Sequence, residues 1–149
     1  MNLNASLGNI VDSRHDCHAA VILNARLSVA VDAGIDVEIP HVAAPAALPL
    51  SDPDLCTLVM NIMDNAIAAA SQAVSPCVLL KVHARDGFLG IVCENSFAPQ
   101  ELETEAKKET VPKHGLGLKI VKGIVAKYSG AITEKNEDGR FIIKIAIPL

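Results

Sequence analysis

The spacing of apolar residues along the chain separates helical segments from strands. SDPDLCTLVMNIMDNAIAAAS, which begins at Ser51, repeats its apolar side chains every three or four positions and predicts an amphipathic helix over residues 52–71. Ser51 or Asp52 can cap this helix, and Pro53 suits its first turn. The apolar stripe of the predicted helix consists of Leu55, Val59, Ile62 and Ala66.

Two further helices are predicted, one on each side of this segment. Residues 1–29 have a helical pattern that Gly34 ends, with Val21, Leu23, Leu27 and Val31 near one stripe. HGLGLKIVKGIVAKYSG, from His114 to Gly130, predicts an amphipathic helix that follows a pair of glycines. The polar, proline-containing segment 96–114 predicts a mobile loop, with one short helical turn around residues 100–108.

The other segments alternate with a period of two, which is typical of strands. Strands over 77–84 and 88–94 flank an Asp-Gly turn signal, and AITEKNEDGRFIIKIAIPL predicts a second hairpin of the same kind. DVEIPHV predicts a short strand that Pro40 places at a sheet edge. The order of elements predicts an α+β fold: a two-layer α/β sandwich with a mainly antiparallel mixed sheet and helices on one face.

Composition and charge narrow the function classes. Half of the residues are hydrophobic but only 3% are aromatic, so the stacking platforms of single-stranded nucleic-acid binders are missing. A net charge of −4 provides no global basic field for nucleic acid or an anionic membrane, and we expect neither as a partner. Six of the nine lysines lie on or beside the segment from His114 to Gly130. They form either a solvated helix face or a local attraction for a polyanionic ligand.

The cysteine pattern and the hydropathy of the chain indicate the cellular compartment in which the protein functions. Cys17, Cys56, Cys77 and Cys93 occur singly, without a C-x-x-C pair, which indicates a reducing, cytosolic compartment. No apolar run reaches the length of a membrane span, and no signal-peptide pattern follows Met1.

Two polar clusters carry the candidate chemistry. Asn61 and Asn65 share one face of the predicted central helix, with Asp64 beside them. Either they bond to backbone carbonyls of a neighbouring turn, or they face a polar ligand, and amide oxygens suit Mg²⁺ that also contacts substrate phosphates. Gly115 and Gly117 allow backbone amides to approach a phosphate at a helix start, or they simply end a loop.

These residues resemble the GHKL ATPases, the group that includes gyrase, the heat-shock chaperone, the histidine kinases and the mismatch-repair ATPase. NIMDNAIAA is similar to their asparagine box, HGLGLKIVKGIVAKYSG to their second glycine box, and IAIPL to their last strand. Within the group, the best match is the peptide-sensing, quorum-type sensor histidine kinases of Gram-positive bacteria. They have an E-N-S-F-like segment, here Glu94 to Phe97, where others have an aspartate-glycine box. The resemblance covers roughly residues 20–149.

The resemblance implies a role for each matching residue. Asn65 would coordinate Mg²⁺, and Asn61 would be the catalytic residue on the same phosphate–metal side, with Asp64 beside them. Asn95 would contact the adenine, with Ser96 next to it and Glu94 as the alternative, since strand alternation puts Glu94 and Asn95 on opposite faces. The end of the ATP lid and the phosphate cradle would be formed by His114, Gly115, Leu116, Gly117 and Leu118.

The resemblance also implies a function. It predicts the catalytic domain of a two-component sensor histidine kinase, which binds Mg·ATP and donates the γ-phosphate to a histidine on a separate dimerisation domain, with a response regulator as partner of the full protein. The cytosolic part of a membrane-anchored sensor is the expected location. Residues 1–30 would be the end of a dimerisation helix and its connector, and 31–149 the ATP-binding domain.

Residues before the first predicted strand raise two other possibilities. Arg14-His15-Asp16 resembles a phosphoacceptor motif, but the space before the first strand is too short for a two-helix dimerisation unit. A zinc site formed by His15, Cys17 and His18 lacks a fourth ligand. We therefore expect the phosphoacceptor histidine on another part of the kinase.

Two alternative functions remain open from the sequence. An anti-sigma-factor-like serine kinase of similar fold would keep the nucleotide and change the acceptor. A degenerate, non-catalytic nucleotide- or partner-binding module would explain the missing D-x-G-x-G motif.

Overall fold

The computed structural model describes residues 18–40, 47–98 and 114–149, which contain three helices and five strands. The helices are α1 (His18–Asp32), α2 (Asp52–Ala70) and α3 (His114–Lys127). The strands are β1 (Asp36–Glu38), β2 (Cys77–Arg85), β3 (Phe88–Ser96), β4 (Ala131–Glu137) and β5 (Arg140–Pro148). The predicted helical turn around 100–108 and the first 17 residues lie outside the described part.

The five strands form one sheet in the order β1-β2-β3-β5-β4. β1 pairs in parallel with β2 at one edge, and the other three pairings are antiparallel. The predicted α+β fold, with its mainly antiparallel mixed sheet and a short edge strand before Pro40, is therefore confirmed.

Both predicted hairpins turn at an Asp-Gly pair. Asp86 and Gly87 have φ angles of 53° and 81°, and Asp138 and Gly139 have φ angles of 51° and 75°. Two consecutive residues with positive φ match the right-handed twist of the flanking strands, and Asp-Gly adopts this conformation at low cost.

The hydrophobic core lies between one face of the sheet and the helices. Alternate residues of the central strands, such as Leu89, Ile91 and Cys93 in β3, are buried, whereas Lys81 and Lys144 on the opposite face are exposed. The helices add several of the largest fully buried side chains, namely Leu27, Leu58, Met63, Val121 and Val125. The aliphatic core follows from a composition with few aromatic residues.

Helix α1 buries a different stripe from the predicted one. Leu23 and Leu27 are buried as expected, but Val21 is 69% and Val31 is 44% exposed. Ala30 takes the third core position. The buried face is formed by residues spaced four, then three apart, and the many apolar residues of this helix fit more than one such register.

A hydrogen-bonded cluster joins the start of α2 to the end of α3. We call Ser51, Asp54, Lys127 and Tyr128 the helix clamp. Lys127 Nζ and Tyr128 Oη donate to Asp54 Oδ2 at 2.6 and 2.5 Å, and the Ser51 amide donates to Tyr128 Oη at 3.0 Å. Ser51 also caps α2, because its hydroxyl accepts from the Asp54 amide. The clamp fixes α3 antiparallel to α2.

The clamp makes the stability of the domain dependent on pH in acid. Hydrogen bonds from Lys127 and Tyr128 lower the pKa of Asp54 from 3.8 to about 2. A lowered folded-state pKa contributes stability above about pH 4 that is lost as the pH falls toward about 2. We expect the thermal midpoint of the wild-type protein to fall more steeply over this range than that of Asp54→Asn. Asp52→Asn, in the same helical turn, should keep the wild-type slope, and equal slopes for all three would contradict the assignment.

Candidate functional site

The antiparallel packing of α2 and α3 brings the two predicted motifs together. A Cβ atom built on Gly117 of α3 would lie 3.2 Å from Asn61 Oδ1 and 3.3 Å from both amide atoms of Asn65. Both asparagines belong to α2, so the second glycine of HGLGL faces the asparagine box directly. We call Asn61, Asn65 and Gly117 the amide cradle.

The side chain of Asn61 is held by its own helix. Its Nδ2 donates to the backbone carbonyl of Thr57 at 2.7 Å, and its Oδ1 faces Gly117. Of the two alternatives for this asparagine, the hydrogen bond to a backbone carbonyl of a neighbouring turn is therefore correct for its amide nitrogen. The bond also orients the oxygen toward the cradle, where it can accept a hydrogen bond or bind a cation.

Asn65 has the least satisfied side chain of the site. In the described part of the chain, its Nδ2 is the one buried side-chain nitrogen or oxygen that has no hydrogen-bond partner. A buried amide without a partner costs about 1–3 kcal/mol. A group of this kind in a native structure needs an explanation, and a bound ligand that supplies the missing interaction is one.

Asp64, the third residue of the predicted cluster, forms an ion pair with α1. Arg26 Nε lies 3.0 Å from Asp64 Oδ1, and the two side chains are 34% and 49% exposed. Sequence reasoning did not identify Arg26. The sequence feature that could have identified it is its isolation, because Arg26 is the one Lys or Arg in the mostly apolar stretch from His18 to Val31.

Strand β3 orients the predicted adenine contact. Asn95 is 3% exposed and alternates with the core residues Cys93 and Ile91, whereas Glu94 lies on the opposite face, with Arg140 Nη1 3.7 Å from its carboxylate. Asn95 Nδ2 donates to the Ser96 carbonyl at 2.9 Å. The helix-facing side of β3 therefore presents Asn95 and not Glu94.

The hydroxyl of Ser96 joins two strands. It accepts from the Cys77 amide at 2.9 Å and donates to the Cys77 carbonyl at 3.3 Å. The structure thus gives the side chain of this predicted site residue a role in the pairing of β2 with β3.

The glycine pair lies inside a helix and not in a loop before it. Helix α3 begins at His114, so HGLGL forms its first turn and the residue after it. The first N–H groups of a helix have no partner within the helix and carry the positive end of its dipole. Leu118 packs partly against the core, and Leu116 is 71% exposed. Of the predicted site residues, His114 and Gly115 are described by their backbone alone.

Ion pairs occupy two of the lysines on α3. Lys122 lies 2.8 Å from Glu134, and Lys127 belongs to the helix clamp. Within the described residues, Lys119 has no ion pair. Lys107, Lys108 and Lys113 lie outside this part. For Lys122 and Lys127 the structure favours the solvated helix face, with an ion pair at each lysine that was not predicted.

The described residues contain neither a cluster of metal-binding side chains nor a membrane-spanning helix. Across residues 18–40, 47–98 and 114–149, no three His, Cys, Asp or Glu side chains form a group that could hold a metal ion. The disfavoured zinc set of His15, Cys17 and His18 lies outside the described side chains. In the same ranges, no helix combines the length and apolarity of a membrane span.

The amide cradle fits a phosphate group with its Mg²⁺ ion. Its donor set consists of neutral amide groups, whose oxygens are hard ligands for Mg²⁺ and whose N–H groups can donate to phosphate oxygens. The Nδ2 of Asn65 has no hydrogen-bond partner among the described residues, and Gly117 brings no side chain to the two asparagines, so their hydrogen-bonding capacity is not used up by α3.

Comparisons with known proteins decide the family. A family profile described as GHKL domain matches residues 50–148, two thirds of the chain. The chain belongs to the GHKL domain family. No curated protein sequence matches this GHKL domain.

Solved structures of histidine kinases share the fold of this GHKL domain. The catalytic domain of histidine kinase ThkA superposes with a TM-score of 0.66 at 18% identity, over 87% of this chain and 90% of ThkA's. The mycobacterial sensor histidine kinase MprB gives 0.58 at 22% identity, over 86% and 93%. Full-length ShkA in complex with AMPPNP gives 0.62 at 23% identity, over 97% and 33%. At these identities the likeness shows the fold.

Proposed function

We propose that this GHKL domain is the ATP-binding catalytic domain of a two-component sensor histidine kinase. It binds Mg·ATP and donates the γ-phosphate to a histidine on a separate dimerisation domain. The observation that carries the proposal is the amide cradle, in which Gly117 faces Asn61 and the partnerless Asn65 amide. Family membership and the shared fold of histidine kinase catalytic domains support it.

Each residue of the cradle has a distinct task in this proposal. The amide oxygen of Asn65 binds Mg²⁺, and Asn61, whose Nδ2 is fixed on Thr57, directs its Oδ1 to the same phosphate–metal side. The first N–H groups of α3, from His114 onward, donate to phosphate oxygens. Bound Mg²⁺ would neutralise charge on the phosphates during transfer. Phosphoryl transfer requires mainly such positioning from the protein.

Asn95 selects the base in the same proposal. Its Nδ2 is bound to the Ser96 carbonyl, so the side-chain atom left for a ligand is the acceptor Oδ1. This acceptor can receive a hydrogen bond from the exocyclic amino group of adenine. It cannot pair with the 6-oxo group of guanine, which is also an acceptor. In this respect the asparagine replaces the aspartate that other GHKL ATPases have in their aspartate-glycine box.

This orientation predicts a preference for ATP over GTP. We expect calorimetric titration with Mg·ATP to give an affinity at least about tenfold higher than with Mg·GTP, since a mismatched acceptor loses one hydrogen bond and leaves polar groups unpaired. Mg·CTP, whose ring also carries an amino group but is smaller, serves as the size control. Equal affinities for ATP and GTP would contradict the role of Asn95.

Calorimetry with the wild-type domain tests the proposed function itself. Binding of Mg·ATP, followed by phosphorylation of a histidine on an added dimerisation domain of the same kinase, is the expected result. Transfer to a serine of an added protein would indicate the serine-kinase alternative. No rise in the thermal midpoint with millimolar ATP or ADP would indicate the degenerate module.

The finer assignments belong to the same proposal. The segment Glu94 to Phe97 favours the peptide-sensing Gram-positive class, with a response regulator as partner and a membrane-anchored sensor as context.

Helix α1 contributes Leu23, Leu27 and Ala30 to the core. The predicted domain boundary at residue 30, within this helix, stays a prediction.

A further inference from the structure

We propose that Arg26 is a positioning residue for nucleotide binding, which acts through its ion pair with Asp64. The inference rests on the proposed function, because it concerns the same cradle. It adds helix α1, which lies outside both recognised sequence motifs, to the elements that determine nucleotide affinity.

All charged side chains of α2 are negative. The helix carries three carboxylates, at Asp52, Asp54 and Asp64, and no basic residue. The first two lie in its first turn, and the helix clamp neutralises Asp54. Asp64 directly precedes Asn65 and lies three residues after Asn61, so it is the carboxylate of α2 within one turn of the cradle.

Among the described residues, Arg26 is the one cation that forms an ion pair with the Asp64 carboxylate. Arg26 Nε lies 3.0 Å from Asp64 Oδ1, and no other ion pair of Asp64 occurs in the described residues. Without Arg26, an unpaired negative charge beside Asn65 would repel the phosphates of a nucleotide. It would also be free to turn toward the amide groups of the cradle. Arg26 thus neutralises and orients Asp64.

Arg26 extends from a helix that is packed into the hydrophobic core. Its neighbours Leu23, Leu27 and Ala30 are buried in the common core, and α1 packs against α2. The guanidinium therefore extends from a fixed helix, and a movement of α1 relative to α2 would change the pairing of Asp64. Nucleotide affinity is coupled to the position of α1 through this one contact.

A double-mutant cycle measured by calorimetry with Mg·ATP tests the inference. We expect Arg26→Met to weaken binding about fivefold in the wild-type background, the upper range for the loss of one partly exposed ion pair. The same substitution in an Asp64→Asn background should change affinity less than about twofold, because the carboxylate that Arg26 controls is gone. Arg26→Lys, which keeps the charge, should restore most of the loss.

Lys122→Met provides the matched control, because it breaks the exposed ion pair of Lys122 with Glu134 on the other side of α3. It should leave Mg·ATP affinity unchanged. Thermal midpoints without nucleotide identify any variant that is partly unfolded at the titration temperature, and titrations are then made below that temperature.

The outcomes separate this inference from the proposed function. Unchanged affinity in Arg26→Met, or an equal loss in both backgrounds, overturns the role of Arg26 through Asp64 while the wild-type domain still binds Mg·ATP. A wild-type domain that binds no Mg·ATP overturns the proposed function, and the inference with it.

Discussion

Replacing Gly117 with valine is expected to abolish Mg·ATP binding while the domain remains folded. A Cβ at this position lies 3.2–3.3 Å from the amide atoms of Asn61 and Asn65, tighter than ordinary van der Waals contact. The two γ-methyl groups of valine would fill the face that we assign to phosphate and Mg²⁺. The variant would lose two proposed charge-assisted contacts, phosphate with the N–H groups of α3 and Mg²⁺ with the Asn65 oxygen. This loss corresponds to a decrease in affinity of at least about 100-fold in calorimetry. Gly117→Ala, which adds the Cβ alone, should give a smaller loss.

Gly123 supplies a matched control in the same helix. It is exposed, and a Cβ built there meets no atom within 4 Å. Gly123→Val therefore introduces the same residue into α3 without entering the cradle, and it should bind Mg·ATP like the wild-type protein. Equal affinity losses in the two valine variants would assign the effect to the helix as a whole. Wild-type affinity in Gly117→Val would exclude the cradle as the phosphate site.

Local sequence patterns were sufficient to predict most of the fold. Asp-Gly pairs defined both hairpins, because few other dipeptides adopt two consecutive positive φ angles at low cost. Ser51 or Asp52 as a cap, together with Pro53, indicated where α2 begins, and the structure selects Ser51 as the cap. These features depend on neighbours in the sequence, so the sequence alone is enough to recognise them.

The pairing of the two motifs could be predicted only through the family resemblance. Asn61 and Gly117 are far apart in the chain, and their contact depends on the antiparallel packing of α2 and α3. That packing is set in part by the helix clamp, in which Asp54 receives hydrogen bonds from Lys127 and Tyr128. No pattern of neighbouring residues predicts these hydrogen bonds. From the sequence alone, Asp54 could be recognised only as a favourable negative charge at the start of a helix.

Helix α1 shows where periodicity fails. Most of its residues are apolar or small, so several stripes fit a helical repeat, and the predicted one included Val21 and Val31, both exposed. The tertiary contact with α2 selects the stripe with Leu23, Leu27 and Ala30. The same contact brings Arg26 to Asp64, which is why the ion pair was missed.

The cradle is built at the expense of stability. A buried amide nitrogen without a partner destabilises the free protein, and a glycine inside helix α3 costs about 1 kcal/mol relative to alanine. Both features leave hydrogen-bonding capacity unused where α2 and α3 meet. In a site selected for ligand binding, such local costs are offset when the ligand binds.

Replacing Asn65 with leucine is therefore expected to raise the stability of the free domain and to abolish nucleotide binding. Leucine has a similar shape and no polar atom to leave without a partner, so the free energy of unfolding should increase by about 1 kcal/mol in urea titrations without nucleotide. The same variant should show no heat of Mg·ATP binding, because the proposed Mg²⁺ ligand is gone. The two effects have opposite signs, which a merely structural asparagine would not produce.

Asn24→Leu is the control for this substitution. Asn24 is exposed on helix α1, so the same change there adds an apolar surface residue and removes no buried amide. It should alter the free energy of unfolding by less than about 0.5 kcal/mol and leave Mg·ATP binding unchanged. If Asn65→Leu instead destabilises the free domain, its amide has a structural partner, and the argument that the orphaned nitrogen awaits a ligand fails.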